Sequence, residues 1–292
     1  MSVCKFAYLN DRFITAEQAA ISPFDRGFLF AHAAYEVTAV YNGKLIDSEG
    51  HLARLERTLS GISIPMPHES EELVRLHEDL IARNQLREGL IYMQVTAGTY
   101  GFRDFSGPDQ IRPTLFMYAD ARDLIGDTAK NGVSAITLED TRWKRRDMKT
   151  TQLLSQALAY RTAQEAGAFT AWMVEDGLIT EAASANAWIV DAEGTLITRN
   201  LSNAILAGIT RASVIQQLSQ AGLTVKERAF TEEEALSAAE AFTTSAGAII
   251  APIIALNGHS IGNGTPGPVT REVQRRYYQA MGADVSQIDW LA

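Results

Sequence analysis

The chain of 292 residues is short of cysteine, of basic residues and of long apolar runs. Each shortage closes a class of function. Its one cysteine, Cys4, makes neither an internal disulfide nor a cysteine-rich zinc site. Against 35 Asp and Glu stand 26 Lys and Arg, a formal net charge of −9. Nucleic-acid backbones call for clustered basic residues, so no nucleic-acid partner is expected. No run approaches the ~18 apolar residues of a membrane span, so no membrane partner is expected either. The opening residues, running into Asn10, Asp11 and Arg12, lack the apolar stretch of a signal peptide. The expectation is a cytoplasmic globular protein that needs no metal to hold its core.

What is present is enough apolar material, 46% of residues, for a sizeable core. The length suggests two domains of about 150 residues each. Phe6–Leu9, Asn10-Asp11 and Arg12–Ile14 read as a hairpin. Glu36–Tyr41 and Lys44–Ile46 form a stronger one around Asn42-Gly43, a pair that accepts the positive φ of a tight turn. Leu52, Leu55, Leu59 and Ile62 recur at helical spacing after Ser48, a cap candidate; Leu73, Leu76, Leu80 and Ile81 mark a second helix. Strands follow at Tyr92–Thr96 and Thr114–Tyr118. The stretch between them, Gly98–Pro113, is a loop of the length that is often functional. The domains are expected at 1–120 and 128–292, with a linker at 121–127. In the second, a strand at Val133–Leu138 and a basic segment precede a helix from Thr151 that ends at Gly167. Strands are expected at Ala171–Val174, Ala187–Val190, Leu196–Thr198, Ala241–Thr244 and Ile249–Leu256, with helices from Thr210, from Glu232 and over Val269–Met281. Both halves are α+β.

Several residue types bear chemistry. Lys149 follows Arg145-Arg146 and precedes the apolar Leu153, Leu154 and Leu158. Neighbouring cations and apolar surroundings disfavour an ammonium, which suits a Schiff-base lysine. A solvated lysine at a helix start is the plainer alternative. Glu181 lies among small residues, Ala182, Ala183, Ser184 and Ala185, before Asn186. Such residues let a flat ligand approach the backbone, although a solvated turn carboxylate fits as well. Gly208-Ile209-Thr210 opens a helix, whose free N–H groups bind anions or whose Thr210 merely caps it. Thr243, Thr244 and Ser245 cluster hydroxyls at a strand end. Arg54, between Leu52 and Leu55, must snorkel out or meet an anion.

Taken in order, these segments resemble the fold-type IV pyridoxal-phosphate enzymes: D-amino-acid transaminases, branched-chain aminotransferases, (R)-selective amine transaminases and aminodeoxychorismate lyases. Ser22-Pro23-Phe24-Asp25-Arg26-Gly27-Phe28-Leu29-Phe30 is similar to the family's N-terminal signature, and the likeness covers nearly the whole chain. Tyr35-Glu36-Val37 with Val40-Tyr41-Asn42-Gly43 is most similar to the D-amino-acid transaminases. His51-Leu52-Ala53-Arg54-Leu55 resembles their phosphate-binding helix, Arg142-Trp143 with Asp147-Met148-Lys149 the Schiff-base segment, and Thr180-Glu181 with Ser184 and Asn186 the segment facing the cofactor ring. The resemblance implies a two-domain α+β fold with pyridoxal 5'-phosphate in the cleft between the domains. It implies that Lys149 carries the cofactor and moves the substrate proton, and that Glu181 pairs with the ring nitrogen. Arg54, the N–H groups of Ile209 and Thr210, and a hydroxyl at Thr244 or Ser245 would hold the phosphate. It also implies a homodimer.

Two departures bear on the substrate. After Val95-Thr96-Ala97-Gly98-Thr99, Bacillus-type D-amino-acid transaminases carry an Arg-x-His motif for the substrate carboxylate. Gap-free alignment puts Phe102 and Asp104 there, with Arg103 one position off. An arginine on a mobile loop binds an acid bidentately and can swing away for an amine. Thr244-Ser245-Ala246-Gly247 resembles a stretch of the (R)-selective amine transaminases. Two donor classes therefore compete, D-amino acids or (R)-configured primary amines, with a 2-oxo acid such as pyruvate as acceptor for either. Tyr35 and Phe102, with Arg103, are the candidate substrate contacts. Branched-chain and lyase activities are the alternatives; a catalytically silent binding protein would have been expected to lose Lys149 or Glu181.

Overall fold

The computed structural model describes residues 2–108 and 110–291. Its contacts divide the chain into two compact units. One comprises Met1–Leu124 with Met148–Gln152, the other Ile125–Asp147 with Leu153–Ala292. The chain therefore crosses between them three times, after Leu124, Asp147 and Gln152. The segment carrying Lys149 packs with the first unit, whereas the sequence had suggested the C-terminal domain. Among the described residues no helix is long and apolar enough to cross a membrane.

The first unit contains β1 (Ser2–Leu9), β2 (Arg12–Thr15), α1 (Arg26–Phe30), β3 (Ala33–Tyr41), β4 (Lys44–Leu45), α2 (Ser48–Gly61), α3 (Ser70–Asn84), β5 (Gly89–Thr96) and β6 (Thr114–Ala121). Its sheet has the order β2-β1-β6-β5-β3-β4. The Asn42-Gly43 turn forms as expected, with φ of 51° and 74°. Alternation along β3, β5 and β6 turns Ala34, Val40, Met93, Val95, Leu115 and Met117 inward, where Leu52, Leu55 and Leu59 of α2 and Leu73 and Leu80 of α3 complete one core. Each of these valine, leucine and methionine side chains contributes about 1.5–3 kcal/mol by leaving water. The cap on α2 differs from expectation: Ser48 is the first helical residue, preceded by Asp47 in the left-handed region with no side-chain cap bond.

The second unit contains α4 (Asp127–Asn131), β7 (Val133–Glu139), α5 (Leu154–Glu165), β8 (Thr170–Glu175), β9 (Leu178–Ala182), β10 (Asn186–Val190), β11 (Leu196–Thr198), α6 (Ile209–Gln220), β12 (Val225–Glu227), α7 (Glu232–Leu236), β13 (Glu240–Ser245), β14 (Ile249–Leu256), β15 (His259–Ser260) and α8 (Pro268–Ala280). Its nine-stranded sheet runs β12-β11-β10-β13-β14-β7-β8-β9, with β15 beside β14. The parallel β7–β8 pair needs a crossover, and α5 supplies it. Trp172 packs edge-on against Phe230 and Trp188 stacks on Phe242, all four rings buried.

Three local expectations shift. Helix α5 starts at Leu154, not Thr151, because Lys149–Thr151 are engaged with β3. Helix α6 is flanked by Gly208, so Thr210 is inside its first turn and does not cap it. Strand β9, absent from the expected strands, carries Glu181 between Thr180 and Ala182, all three buried, so the solvated-turn alternative falls away.

Candidate active site

Within the first unit, Lys149 is held by backbone bonds. The Tyr35 N–H donates to the Lys149 carbonyl and the Thr151 N–H to the Ala33 carbonyl, each at 3.1 Å, and Ala34 pairs with Thr150. The Lys149 N–H donates to the Thr58 hydroxyl at 3.3 Å. Its ammonium sits over the Tyr35 ring, 4.1 Å from the centroid, where a cation is attracted to the ring face. Tyr35 stacks on Tyr92 at 5.7 Å, and Tyr92 meets Tyr118 at 5.2 Å. The Tyr92 hydroxyl donates to Gln94 Oε1 at 2.6 Å. Burial, then the neighbouring tyrosines, raises the Tyr92 phenol pKa, so it stays neutral. The arginines preceding Lys149 in sequence are not bare cations: Arg145 pairs with Asp147 and Arg146 with Glu175.

On the other face of β3, Glu36 accepts from Arg54 through Nε at 2.8 Å and Nη2 at 2.7 Å, and from His51 Nδ1 at 2.7 Å. All three side chains are buried. Burial alone would raise the Glu36 carboxyl; the Arg54 charge and the bonds from Arg54 and His51 outweigh it and hold the group at about 2. Of the two outcomes open to it between leucines, Arg54 meets an anion, the Glu36 carboxylate.

The Gly98–Pro113 loop is tied to the motif around Asp25. Asp25 accepts from the Thr96 and Thr114 hydroxyls, each at 2.9 Å, so it joins the ends of β5 and β6. The buried Arg26 donates to the Asp104 and Phe105 carbonyls at 2.5 and 3.0 Å. Arg103 lays its guanidinium over Phe105 at 4.6 Å and Phe30 at 5.3 Å. Phe102 is exposed beside Tyr100, and the Asp104 carboxylate accepts from the Ser106 hydroxyl at 2.7 Å.

Within the second unit, Glu181 is the centre of a buried network. Its Oε1 accepts from Arg142 Nη1, and its Oε2 accepts from Asn186 Nδ2 and the Leu206 N–H, both at 3.1 Å. Asn186 also donates to the Leu206 carbonyl at 2.9 Å. That places the carboxylate beside the segment entering α6, where the Ile209 and Thr210 N–H groups lie in the first helical turn. A side chain at Gly208 would put its Cβ 1.9 Å from Asn186 Oδ1, so this approach requires glycine. Thr244 pairs with Asn186 across β10 and β13. Its hydroxyl accepts from Trp188 Nε1 at 3.0 Å, whereas Ser245 accepts from the Ala248 N–H at 3.1 Å.

The first unit therefore sets Lys149 against Tyr35 and, on the opposite face of β3, Arg54 against Glu36; the second gathers Glu181, Ile209, Thr210 and Thr244. Arg103 and Phe102 stand on their loop. The partners that sequence reasoning passed over are Glu36 and Asp140. Glu36 left a signal: an acid at an inward register position of β3, facing a helix with an arginine between two core leucines.

The sequence pattern of the family described as Amino-transferase class IV matches residues 33–256. The D-alanine aminotransferase of Bacillus licheniformis is 37% identical over 265 residues, covering 91% of this chain and 93% of that protein. That of Listeria monocytogenes is 32% identical over 284 residues, covering 97% and 98%. Among solved structures, the branched-chain amino acid aminotransferase from Escherichia coli superposes with a TM-score of 0.85 at 22% identity, covering 96% of each chain. The Thermobaculum terrenum enzyme in its PLP form superposes at 0.83 with 25% identity, covering 99% and 98%.

Proposed function

The chain belongs to the class IV aminotransferases, and from that premise we propose that it transfers an amino group from a D-amino acid to a 2-oxo acid such as pyruvate. The cofactor is pyridoxal 5'-phosphate. The observation that carries the donor class is the likeness to D-alanine aminotransferases along almost the full length of both chains.

The donor set present suits this cofactor: an amine for its aldehyde, a buried carboxylate for its ring nitrogen, and helix-start N–H groups for its phosphate. On this reading Lys149 holds the cofactor and Glu181 faces its ring nitrogen. Ile209 and Thr210 offer backbone N–H groups to its phosphate; Arg54 and one hydroxyl of Thr244 or Ser245 serve the same end. When bound, the cofactor supplies an electron sink for the bond broken at the amino carbon. The protein's own task is then to move a proton, and Lys149 Nζ is the base. Tyr35, in contact with that amine, fixes its position.

A second donor class, (R)-configured primary amines, is favoured by one feature of the loop. Neither Phe102 nor Asp104 offers a donor to a carboxylate, and Arg103 rests on aromatic rings. An enzyme of either class would assemble as a homodimer on this reading, and the exposed Phe28 and Phe105 support an association surface. The test is a half-reaction with D-alanine, L-leucine and (R)-1-phenylethylamine supplied separately to the cofactor-loaded protein. Bleaching of the cofactor's visible band by D-alanine supports the proposal; bleaching by L-leucine alone overturns it. Arg103→Ala is expected to raise the KM for pyruvate about tenfold or more, as loss of a charge-assisted pair would, with cofactor retention unchanged. An unaltered KM removes Arg103 from the site.

A further inference from the structure

We propose that Arg142 decides which partner holds the proton shared between Glu181 and a ring nitrogen bound against it, and that Asp140 keeps Arg142 in position. The proposal rests on the transaminase reading above and adds to it a positioning residue that acts through Glu181.

Arg142 reaches two carboxylates at once. Nε and Nη2 donate to the two oxygens of Asp140 at 2.9 and 2.7 Å, and Nη1 donates to Glu181 Oε1. The side chains of Asp140, Arg142 and Glu181 are all buried. Asp140 is fixed in turn by the Thr180 hydroxyl at 2.7 Å and by its own acceptance of the Arg142 N–H at 3.1 Å. A guanidinium forked on one carboxylate has a fixed plane, so its remaining Nη1 is aimed at Glu181 before any ligand arrives.

The other charges around Glu181 do not replace it. Arg146 lies 3.5 Å from Asp140 and is bonded to Glu175 at 2.7 Å. Glu175 also pairs with the exposed Lys144. Arg199 donates to the Ile179 carbonyl at 2.8 Å. Asn186 and Leu206 contribute neutral donors. Among the described residues, Arg142 is therefore the cation in direct contact with the carboxylate.

The consequence concerns one proton. A carboxylic acid facing a pyridine nitrogen and a carboxylate facing a pyridinium contain the same atoms; only the N–H or O–H bond differs. Burial raises the Glu181 carboxyl pKa and favours the neutral pair, while the Arg142 charge works against that rise. In a low-dielectric interior a contact cation stabilises the charged pair strongly. Arg142 thus keeps the proton on the ring nitrogen, the form in which the ring draws electrons.

The experiment follows the Glu181 carboxyl by ¹³C NMR in the protein without cofactor, assigned with Glu181→Gln, and the ring nitrogen by ¹⁵N NMR in the loaded protein. In Arg142→Gln the Glu181 midpoint is expected to rise by about one pH unit or more, and the ring ¹⁵N signal to move from the protonated toward the neutral position. Arg142→Lys keeps a charge but has a single ammonium for two carboxylates, so its midpoint should lie between those of Arg142→Gln and the unaltered protein. It also serves if the glutamine variant does not fold. A Glu181 midpoint unmoved in the folded variants overturns the proposal and leaves the transaminase reading standing. A protein that takes up no pyridoxal phosphate overturns that reading instead, while the carboxyl titration still reports on Arg142.

Discussion

His77 and Glu36 sit inside the same core of the first unit and respond to acid in different windows. Burial depresses the His77 imidazole to about 4, against a slight rise from its bond to Leu73. It donates from Nδ1 to the Leu73 carbonyl at 2.6 Å, and its burial keeps the ring neutral in the folded chain near neutral pH. The unfolded chain binds this proton near 6.5, and the folded chain refuses it until about 4. Stability therefore falls as pH drops through that window, by about 3 kcal/mol in all. His77→Gln retains a donor and removes the titration, so its urea midpoint should be flatter between pH 6.5 and 4 than that of the unaltered protein. An equal slope would place the acid sensitivity elsewhere. Glu36 is depressed to about 2, so its contribution is complete above about 4.5 and is lost as pH falls toward 2. Glu36→Gln removes the anion that Arg54 faces, at a cost of about 3–5 kcal/mol near neutrality. The deficit should shrink as the acid limb is descended; a constant deficit from pH 6 to pH 2 would refute the paired assignment.

At the scale of elements, the α6 entry and the 98–113 loop each depend on one residue. In Gly208→Ala the new Cβ would lie 1.9 Å from Asn186 Oδ1. Either Asn186 gives up its bond to Glu181 or the helix start shifts. Overpacking of this kind costs about 1–3 kcal/mol, and if it falls on the bound form the Kd for pyridoxal phosphate rises about tenfold. Unchanged retention would show that α6 and Asn186 move independently of the cofactor. In Arg26→Ala the loop loses two charge-assisted bonds to the Asp104 and Phe105 carbonyls. Amide exchange over residues 100–107 should accelerate, while exchange in β5 should not; equal protection would mean that the aromatic contacts alone hold the loop.

Those elements also mark what could be read in advance. The Asn42-Gly43 turn and the leucine stripe of α2 are local chemistry, and they stand where the sequence put them. The residues from Thr151 to Gln152 lie outside α5 because a partner more than a hundred residues away, β3, claims the segment around Thr150, and nothing local to the sequence records that pairing. Strand β9 was obscured because Thr180 and Glu181 interrupt its apolar run, although Asp176 and Gly177, at φ of 52° and 75°, make the tight turn that leads into it. Lys149 and Glu181 could be singled out by residue type and by their place among their neighbours. Their partners could not: Glu36 meets Arg54 18 positions on, and Asp140 meets Thr180 40 positions on, pairings that only tertiary structure creates.

For the molecule as a whole, the binding of a cofactor adds to the stability of every residue that unfolds with its site. A ligand bound to the folded state alone, at about 100 times its Kd, contributes about 2.7 kcal/mol. In a chain somewhat larger than 150–250 residues each kcal/mol moves Tm by about 2–4 °C, so saturating pyridoxal phosphate should raise Tm by roughly 5–10 °C. Lys149→Ala forfeits the covalent link and should lose much of that shift. Arg103→Ala, on a loop whose arginine rests on Phe30 and Phe105, should keep all of it. The two variants thereby separate cofactor retention from substrate binding by heat alone. If Lys149→Ala gains as much from the cofactor as the unaltered chain, the amine does not hold it. If Arg103→Ala loses the gain, that loop serves the cofactor and not the 2-oxo acid.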